Sequence, residues 1–273
     1  FWIARMVMAG EYFTKKTPFK ICYFTPIIRD AQGRKMSKSL GNSPDVIQIM
    51  NTYGVDAMRF SLVNQIAAGQ DIFWKDSCCD LGKTFVNKLW NAARFLTMNM
   101  EKCGVDTKDA IAFDDFVSIS NDTLSTWIVS EFFHVVQKSH EHIAKFEFSG
   151  YTSCLYEFTW MVYCDWFVEL IKPHFAEENK TEISSQMLIS ALQLFDGILR
   201  LLHPVVPFVT EEIWQQIYAK KSDQTIGFAK LPMPCPDLLD EAVIQNMREV
   251  QSVVNQVRTI RGKFNIHPGH ELT

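Results

Sequence analysis

Residues 33–42 read GRKMSKSLGN, and the order of residues in this stretch decides the predicted fold. It places Arg34, Lys35 and Lys38 and two serines between glycines, in a chain of 273 residues with a formal net charge of -4. Ammonium groups, hydroxyls and glycine-freed backbone amides suit a triphosphate, whose charge must be stabilised during reaction. From the charge pattern alone, a solvated basic turn is the more common explanation. The sequence is not a P-loop, because it contains no G-x-x-x-x-G-K-[ST].

The composition of the whole chain predicts a protein with an ample hydrophobic core. Apolar residues make up 47% and charged residues 21%, and no apolar run approaches the length of a membrane span. The seven cysteines show no C-x-x-C pair and no ligand-like spacing with histidine, which argues against a zinc site and a disulfide framework. We therefore expect no metal site, no membrane partner and reduced thiols in the cytoplasm.

Charge is unevenly distributed along the chain. Residues 1–75 contain ten Lys or Arg against five Asp or Glu, whereas residues 101–200 contain seven against sixteen. This asymmetry predicts that a polyanion is bound at particular places and not over the whole surface. The chain also begins with the apolar FWIARMVMAG and no initiator methionine, so we expect a piece of a longer protein.

Hydrophobic periodicity predicts a short mixed segment followed by a bundle of five to seven helices from about residue 76. In the first segment, 19–28 has the composition of a buried strand, and Ser43 is the predicted N-cap of a helix that ends at Gly54. Three apolar stripes with helical spacing are expected to face the core: Phe85, Leu89, Ala92 and Leu96; Leu188, Leu192, Phe195, Leu199 and Leu202; and Val243, Met247, Val250, Val254 and Val257.

Two more helices are predicted over 122–146 and 150–172, and Thr210 is the predicted cap of a short one. The helix at 150–172 is rich in aromatic residues, which at this spacing usually pack into a core. The same helix carries Asp165, Glu169 and Lys172, whose spacing predicts one intrahelical ion pair.

A second stripe, beside the apolar one at 85–96, contains residue types that could bind RNA. Amides can read base edges, cations can meet phosphates and an aromatic ring can stack on an unstacked base. From the residues alone, a polar helix face with Phe95 in the core is the more common arrangement. The residues of this stripe and its flanks are Thr84, Asn87, Lys88, Asn91, Arg94 and Phe95.

The order of the residues resembles class I aminoacyl-tRNA synthetases. Lys35-Met36-Ser37-Lys38-Ser39 reads KMSKS, which is similar to the second signature of that family. The resemblance covers nearly the whole chain and fits the valine branch (valyl-tRNA synthetases) best, with the isoleucine branch as an alternative. It rests on RDAQGRKMSKSLGN (29–42), YGVDAMRF (53–60), GQDI (69–72), NKLWNAARF (87–95), YEFTWMVYCDWFVELIKP (156–173), RLLHPVVPFVTEEIW (200–214) and VRTIRGKFNIHPG (257–269).

The resemblance implies a mainly α-helical fold in which the end of a Rossmann-type α/β catalytic domain precedes a helical anticodon-binding bundle. We expect the catalytic part at 1–75, the bundle at 76–230, and a linker with the last bundle helix at 231–273. The family's HIGH signature, most of its amino-acid pocket, its editing insertion and its coiled-coil arm would lie outside these residues. The chain alone is therefore not expected to aminoacylate tRNA.

The implied reaction is ATP-dependent activation of valine and its transfer to tRNA(Val), carried out by a monomer. In this family the KMSKS lysines lie on a mobile loop over the ATP phosphates, so the resemblance assigns catalysis to Lys35 and Lys38. ATP would enter as its Mg²⁺ complex, as a substrate of the full-length enzyme, and no cofactor would be tightly bound. The expected ATP-binding residues are Lys35, Met36, Ser37, Lys38 and Ser39.

The resemblance also assigns tRNA binding to the polar stripe, with Phe95 stacked on an anticodon base. The expected tRNA-binding residues are Asn87, Lys88, Asn91, Arg94 and Phe95. A basic cluster at 258–263 is either a phosphate contact or a solvated helix end. A stand-alone tRNA-binding paralogue with a relic KMSKS is the alternative from another functional class.

Overall fold

The computed structural model describes residues 1–67, 69–105, 113, 122–176, 182–218, 224–267 and 270. The predicted predominance of helix is confirmed, and none of the helices in these ranges is long and apolar enough to cross a membrane. The helices are α1 (Trp2–Thr14), α2 (Val46–Tyr53), α3 (Val55–Asn64), α4 (Cys79–Cys103), α5 (Thr123–Ala144), α6 (Phe148–Glu157), α7 (Val168–Ile171), α8 (Glu182–Leu202), α9 (Pro207–Ile217) and α10 (Glu241–Lys263). A π-helix (Phe158–Phe167) joins α6 to α7, and short 3₁₀ helices lie at Asp76–Cys78, Lys172–Phe175, Ile226–Phe228 and Pro236–Leu238.

The first segment contains two very short parallel strands, β1 (Ile28–Arg29) and β2 (Ile72–Phe73), with Ile28 opposite Ile72. The predicted buried strand over 19–28 is therefore wrong, because only its last residue lies in a strand. Ile21 and Phe24 are 62% and 72% exposed. The ladder begins after Pro26, which cannot donate a backbone hydrogen bond to a neighbouring strand.

Helix α2 begins later than the sequence predicted. Its N-cap is Asp45 and not Ser43, because the Asp45 carboxylate accepts hydrogen bonds from the backbone N–H groups of Ile47 (2.9 Å) and Gln48 (3.2 Å). The predicted end at Gly54 is confirmed. This glycine has a φ of 93°, and it separates α2 from α3.

The bundle is built around the apolar stripes of α4 and α8, as predicted. Every residue of both stripes is buried in one continuous core. Helix α5 is capped by Asp122, whose carboxylate accepts from the Ser125 N–H at 2.9 Å. The predicted aromatic helix is a continuous helical run from α6 to α7, in which Tyr163 is buried and donates its hydroxyl to the Ala191 carbonyl at 2.7 Å.

Helix α3 joins the first segment to the bundle. It packs so closely against α4 that a Cβ at Gly82 would collide with the backbone of Ala57. The Asp56 carboxylate accepts from the first amides of α9, at Phe208 (3.2 Å) and Val209 (2.6 Å). Burial raises the pKa of Asp56, which these two hydrogen bonds partly offset.

The predicted N-terminal cap of α9 was wrong. Helix α9 begins at Pro207, and Thr210 lies inside its first turn, where the hydroxyl donates to the Val206 carbonyl at 2.8 Å. Proline is well suited to this first position because it lacks the N–H that would need a partner. The capping acceptor comes instead from Asp56, a residue distant in sequence.

Helix α10 forms over the predicted residues, but only the first part of its apolar stripe packs against the core, at Val243 and Met247. Val250 and Val257 are 54% and 46% exposed, and Ile244 is the one buried residue among those described in this helix. The beginning of α10 is anchored where the Ser130 hydroxyl accepts from the Asp240 N–H at 3.0 Å, and near its end the Arg258 guanidinium lies 5.3 Å from the centre of the Trp166 ring. Helical periodicity predicted the helix correctly, but it does not determine which other helices pack over its apolar stripe.

Candidate functional site

The KMSKS loop (residues 34–42) is closed at its base by Asp30 and Asn42. The Asn42 side-chain amide donates to Asp30 Oδ2 at 2.9 Å, and the Asn42 Oδ1 accepts from the Ser37 N–H at 2.9 Å. The Arg34 N–H and Nε also donate to the same carboxylate, at 2.8 and 2.7 Å. Because these donors favour the ionised form, with Asn42 contributing most, they lower the pKa of Asp30 to about 2.

The centre of the loop is shaped by its own side chains. The Ser37 hydroxyl accepts from the Leu40 N–H at 3.2 Å and lies 3.2 Å from the hydroxyl of Ser39. Met36 packs against the small core formed by Ile49, Trp74 and Cys79. Within the predicted ATP-binding set, Met36 and Ser37 therefore also hold the loop in its conformation.

Lys35 and Lys38 are both exposed on this loop. Among the described residues, neither ammonium group has an ion-pair or hydrogen-bond partner. Lys35 is held only through its backbone, which forms an antiparallel bridge with Arg29. The loop thus presents two unneutralised positive charges on a hydrogen-bonded base.

Asp71, in the GQDI stretch (69–72), is the third residue that holds the base of the KMSKS loop. Its carboxylate pairs with Arg29 Nε and accepts from the Ile27 N–H at 3.3 Å, and Arg29 also donates to the Gly33 carbonyl at 3.2 Å. The hydrogen bond from Arg29 is the main cause of the lowered pKa of Asp71. Sequence reasoning assigned no role to Asp30, Asn42 or Asp71. A signal was present for Asn42, because an Asn beside a glycine commonly organises a turn.

Three of the five predicted tRNA-binding residues meet in one groove, which we call the α4–α7 groove. Lys88, Asn91 and Phe95 of α4 form one wall of this groove, whose volume is about 150 Å³. The apolar residues at its surface are Ala92, Cys164 and Val168, and the opposite rim carries Glu169 and Lys172.

Lys88 is paired across this groove. Its ammonium lies 2.5 Å from Asp165 Oδ1 and 5.3 Å from the centre of the Trp160 ring. Burial lowers the pKa of Lys88, but the hydrogen bond and charge of Asp165 outweigh this effect and raise it. Lys88 is therefore a charged group whose charge is neutralised locally.

Phe95 is half-buried and lies at the other end of the groove. Its ring packs edge-on against Phe175 at 6.0 Å between ring centres, and the Lys172 ammonium lies 5.8 Å from the centre of the Phe95 ring. Lys172 also pairs with Glu169, which confirms the predicted intrahelical ion pair. Asp165, the third member of that predicted set, instead pairs with α4 from within the π-helix.

The remaining two predicted residues lie outside this groove. Arg94 lines a second groove of about 170 Å³ on the other side of α4, together with Trp90 and with Gln216 of α9. Asn87 is exposed. Helix geometry explains the separation, because residues at successive positions around α4 point to different neighbours.

The possible metal ligands of the described ranges include the histidines of α5. Within these ranges, no group of His, Cys, Asp and Glu side chains could hold a metal ion. Two of the histidines of α5 are engaged with protein atoms: His140 Nε2 lies 2.8 Å from the Pro232 carbonyl oxygen, and His142 Nδ1 lies 2.8 Å from Glu147.

Comparisons with known proteins identify families for both parts of the chain. Residues 125–273 match the family described as the anticodon-binding domain of tRNA ligase, and residues 1–75 match class I tRNA synthetases (I, L, M and V). The valine–tRNA ligases of Chlorobaculum tepidum and Fusobacterium nucleatum are each 37% identical over 270 residues, covering 97% and 98% of this chain. That of Streptococcus thermophilus is 36% identical over 275 residues. The chain spans about 30% of the length of these relatives.

A solved structure shows the same fold. It is a ternary complex of Agrobacterium radiobacter K84 agnB2 LeuRS with tRNA and LeuAMS, and it matches with a TM-score of 0.64 at 19% identity. The match covers 87% of this chain and 27% of that chain. At this level of identity, the likeness shows the fold alone.

Proposed function

Because the chain belongs to the tRNA ligase family that contains this anticodon-binding domain, we propose that it is part of a valine–tRNA ligase. In this proposal residues 1–75 supply the KMSKS loop for ATP-dependent activation of valine. Residues 76–230, followed by 231–273, bind the anticodon side of tRNA(Val). The observation that supports tRNA binding most directly is the meeting of an aromatic ring, an amide and a lysine, at Phe95, Asn91 and Lys88, in one groove.

The groove has the size and chemistry expected of a subsite for an unstacked base. The half-buried ring of Phe95 offers a stacking surface, and base–aromatic stacking tolerates any base. The side-chain amide of Asn91 has both donors and an acceptor, so it can discriminate between base edges. The ammonium groups at the rim can meet the flanking phosphates.

The KMSKS loop has the charges that the activation step requires. Lys35 and Lys38 are exposed, and no acid among the described residues neutralises them. We propose that both contact the phosphates of ATP, which would enter as its Mg²⁺ complex, and that Lys38 stabilises the charge that develops during transfer. A loop that moves to bring these donors into place would act on the transition state more than on ground-state affinity.

Binding of tRNA to the chain tests the groove assignment. We expect Phe95→Ala to weaken binding of tRNA(Val) by about five- to 150-fold, because loss of base stacking costs roughly 1–3 kcal/mol. Asn91→Ala should reduce discrimination against tRNA(Val) with altered anticodon bases. Matched controls are Phe228→Ala, whose ring is 90% exposed elsewhere, and Asn51→Ala on α2. The assignment is wrong if Phe95→Ala and Asn91→Ala are both silent.

The alternative of a stand-alone tRNA-binding paralogue predicts the same binding results. Valine-dependent exchange between ATP and pyrophosphate by the full-length gene product distinguishes the two, because only a ligase catalyses it. A product that binds tRNA(Val) but shows no exchange with valine or isoleucine would favour the paralogue.

A further inference from the structure

We infer that Asp165 and Glu169 make the α4–α7 groove selective for a tRNA base, by keeping Lys88 and Lys172 neutralised until a base is in place. This inference rests on the proposed function, because it concerns the same groove. It assigns specificity to two acidic residues whose charge repels the RNA phosphates.

The geometry places one acid beside each lysine of the groove. Lys88 Nζ lies 2.5 Å from Asp165 Oδ1, and Lys172 pairs with Glu169. Both pairs are accessible: the side chains of Lys88 and Asp165 are 32% and 42% exposed, and those of Lys172 and Glu169 are 46% and 56% exposed. Ion pairs at such exposure contribute little to stability, so an RNA could rearrange them at low cost.

Neutralised lysines attract phosphate weakly. A lysine that meets a phosphate releases counterions whatever the sequence, so free lysines at the rim would strengthen binding of every RNA alike. A carboxylate at hydrogen-bonding distance removes most of that gain. The acidic balance of residues 101–200, seven Lys or Arg against sixteen Asp or Glu, further disfavours unspecific binding of RNA.

A base that binds beside Phe95 would change the ion pairing of Lys172. The Lys172 ammonium lies 5.8 Å from the centre of the Phe95 ring, so a base that stacks on this ring comes into contact with the Lys172–Glu169 pair. The Glu169 carboxylate can then accept a hydrogen bond from a base N–H, and the ammonium becomes available to the adjacent phosphate. The lysine contributes fully only when a base with a suitable donor is bound.

The test compares charge-matched variants of the chain. Asp165→Asn and Glu169→Gln keep side-chain shape but free Lys88 and Lys172, whereas Glu157→Gln makes the same charge change at an exposed residue that has no ion pair among the described residues. Dissociation constants are measured from 50 to 200 mM KCl for tRNA(Val) and for the same tRNA with altered anticodon bases. Melting temperatures confirm that each variant is folded.

We expect each freed lysine to steepen the slope of log Kd against log salt concentration by about 0.7 for the altered tRNA. The resulting gain in affinity should be about threefold larger at 50 mM than at 200 mM salt. Discrimination between the two tRNAs should fall, and Glu157→Gln should leave it unchanged. Adding Lys88→Gln to Asp165→Asn should restore the original salt dependence, because the freed charge is then absent.

Three outcomes separate this inference from the proposed function. If the unsubstituted chain discriminates between the tRNAs but Asp165→Asn and Glu169→Gln behave like Glu157→Gln, the inference is wrong and the proposed function stands. If the two variants weaken the binding of both tRNAs equally, the acids only order the lysines, and the inference is again wrong. If the unsubstituted chain does not discriminate, both proposals fail.

Discussion

The KMSKS loop and the α4–α7 groove both present lysines at the surface, but the lysine charges are unpaired in the loop and paired in the groove. In the loop, the carboxylate of Asp30 is occupied by Arg34 and Asn42, and the ammonium groups of Lys35 and Lys38 have no partner among the described residues. In the groove, Lys88 is paired with a carboxylate from a neighbouring helix. In the proposed function, the unpaired charge serves a reacting polyphosphate, whereas the paired charge suits selection among RNAs that all carry phosphates.

The largest effect is expected at the unpaired lysines. In the full-length gene product, Lys38→Ala should slow formation of valyl-adenylate by about 10²- to 10³-fold, the usual cost of removing one donor to a developing charge. Valine affinity should change little. Single-turnover kinetics measure the rate, and Lys20→Ala, at an exposed lysine of the same segment, is the control. An unchanged burst rate would contradict the role of Lys38.

The second effect tests whether the loop base positions those lysines. Asn42→Ala removes the donor to Asp30 and the acceptor for the Ser37 N–H. We expect adenylate formation to fall by up to about 10²-fold, because displacement of catalytic groups by about 1 Å has effects of this size. Binding of tRNA should be unaffected, since the groove lies on α4. A variant that weakens tRNA binding as much as adenylation would break the distinction between the two regions.

Acid should loosen the loop base by protonating Asp30. Since the pKa of Asp30 is lowered from 3.8 to about 2, its ionised form contributes stability that is fully present above about pH 4 and is lost as the pH falls through 2. Amide exchange of the Arg34 N–H, followed by NMR between pH 5 and 2, measures this change. Exchange that stays slow at pH 2 would show that the Asp30 carboxylate does not hold the loop.

The smallest expected effect is the contribution of the Lys88–Asp165 pair to the free energy of unfolding. Both side chains are about one-third exposed or more, so a double-mutant cycle with Lys88→Met and Asp165→Asn should give a coupling of only about 0.2–1 kcal/mol in urea unfolding. The buried Arg200–Asp196 pair is the contrasting control, because Asp196→Ala should cost roughly 3–5 kcal/mol. A coupling for Lys88 and Asp165 as large as that value would mark their pair as a structural element and not a selective one.

The stripes of α4 and α10 show how far sequence patterns reach in this fold. Both have helical periodicity, and both helices form as predicted. Leu89 is fully buried, but Val257 is 46% exposed, because burial depends on which neighbours pack against a helix. The cap of α9 illustrates the same limit: local rules selected Thr210, whereas the acceptor is Asp56 on α3.

The candidate site was predictable in some of its residues but not in its arrangement. The KMSKS lysines and the polar stripe of α4 were identified from residue order and helical spacing. Their division was not: Lys88 and Phe95 line the α4–α7 groove, whereas Arg94 lines a second groove. Which side of a helix faces which neighbour is a property of the packed bundle.

By itself, the sequence determined the family resemblance, the helices and the residues that carry charge, because residue order, backbone preference and side-chain type are local properties. Helical spacing predicted the Glu169–Lys172 pair, but only the tertiary structure decided which charges are neutralised between elements. Lys88 and Asp165 are 77 positions apart, and their atoms approach to 2.5 Å only because α4 packs beside the π-helix. Lys38 keeps its charge unpaired because the loop base uses the nearby acid for backbone and arginine donors. An ion pair requires two side chains within hydrogen-bonding distance, and for residues far apart in sequence that distance is set by the packing of helices.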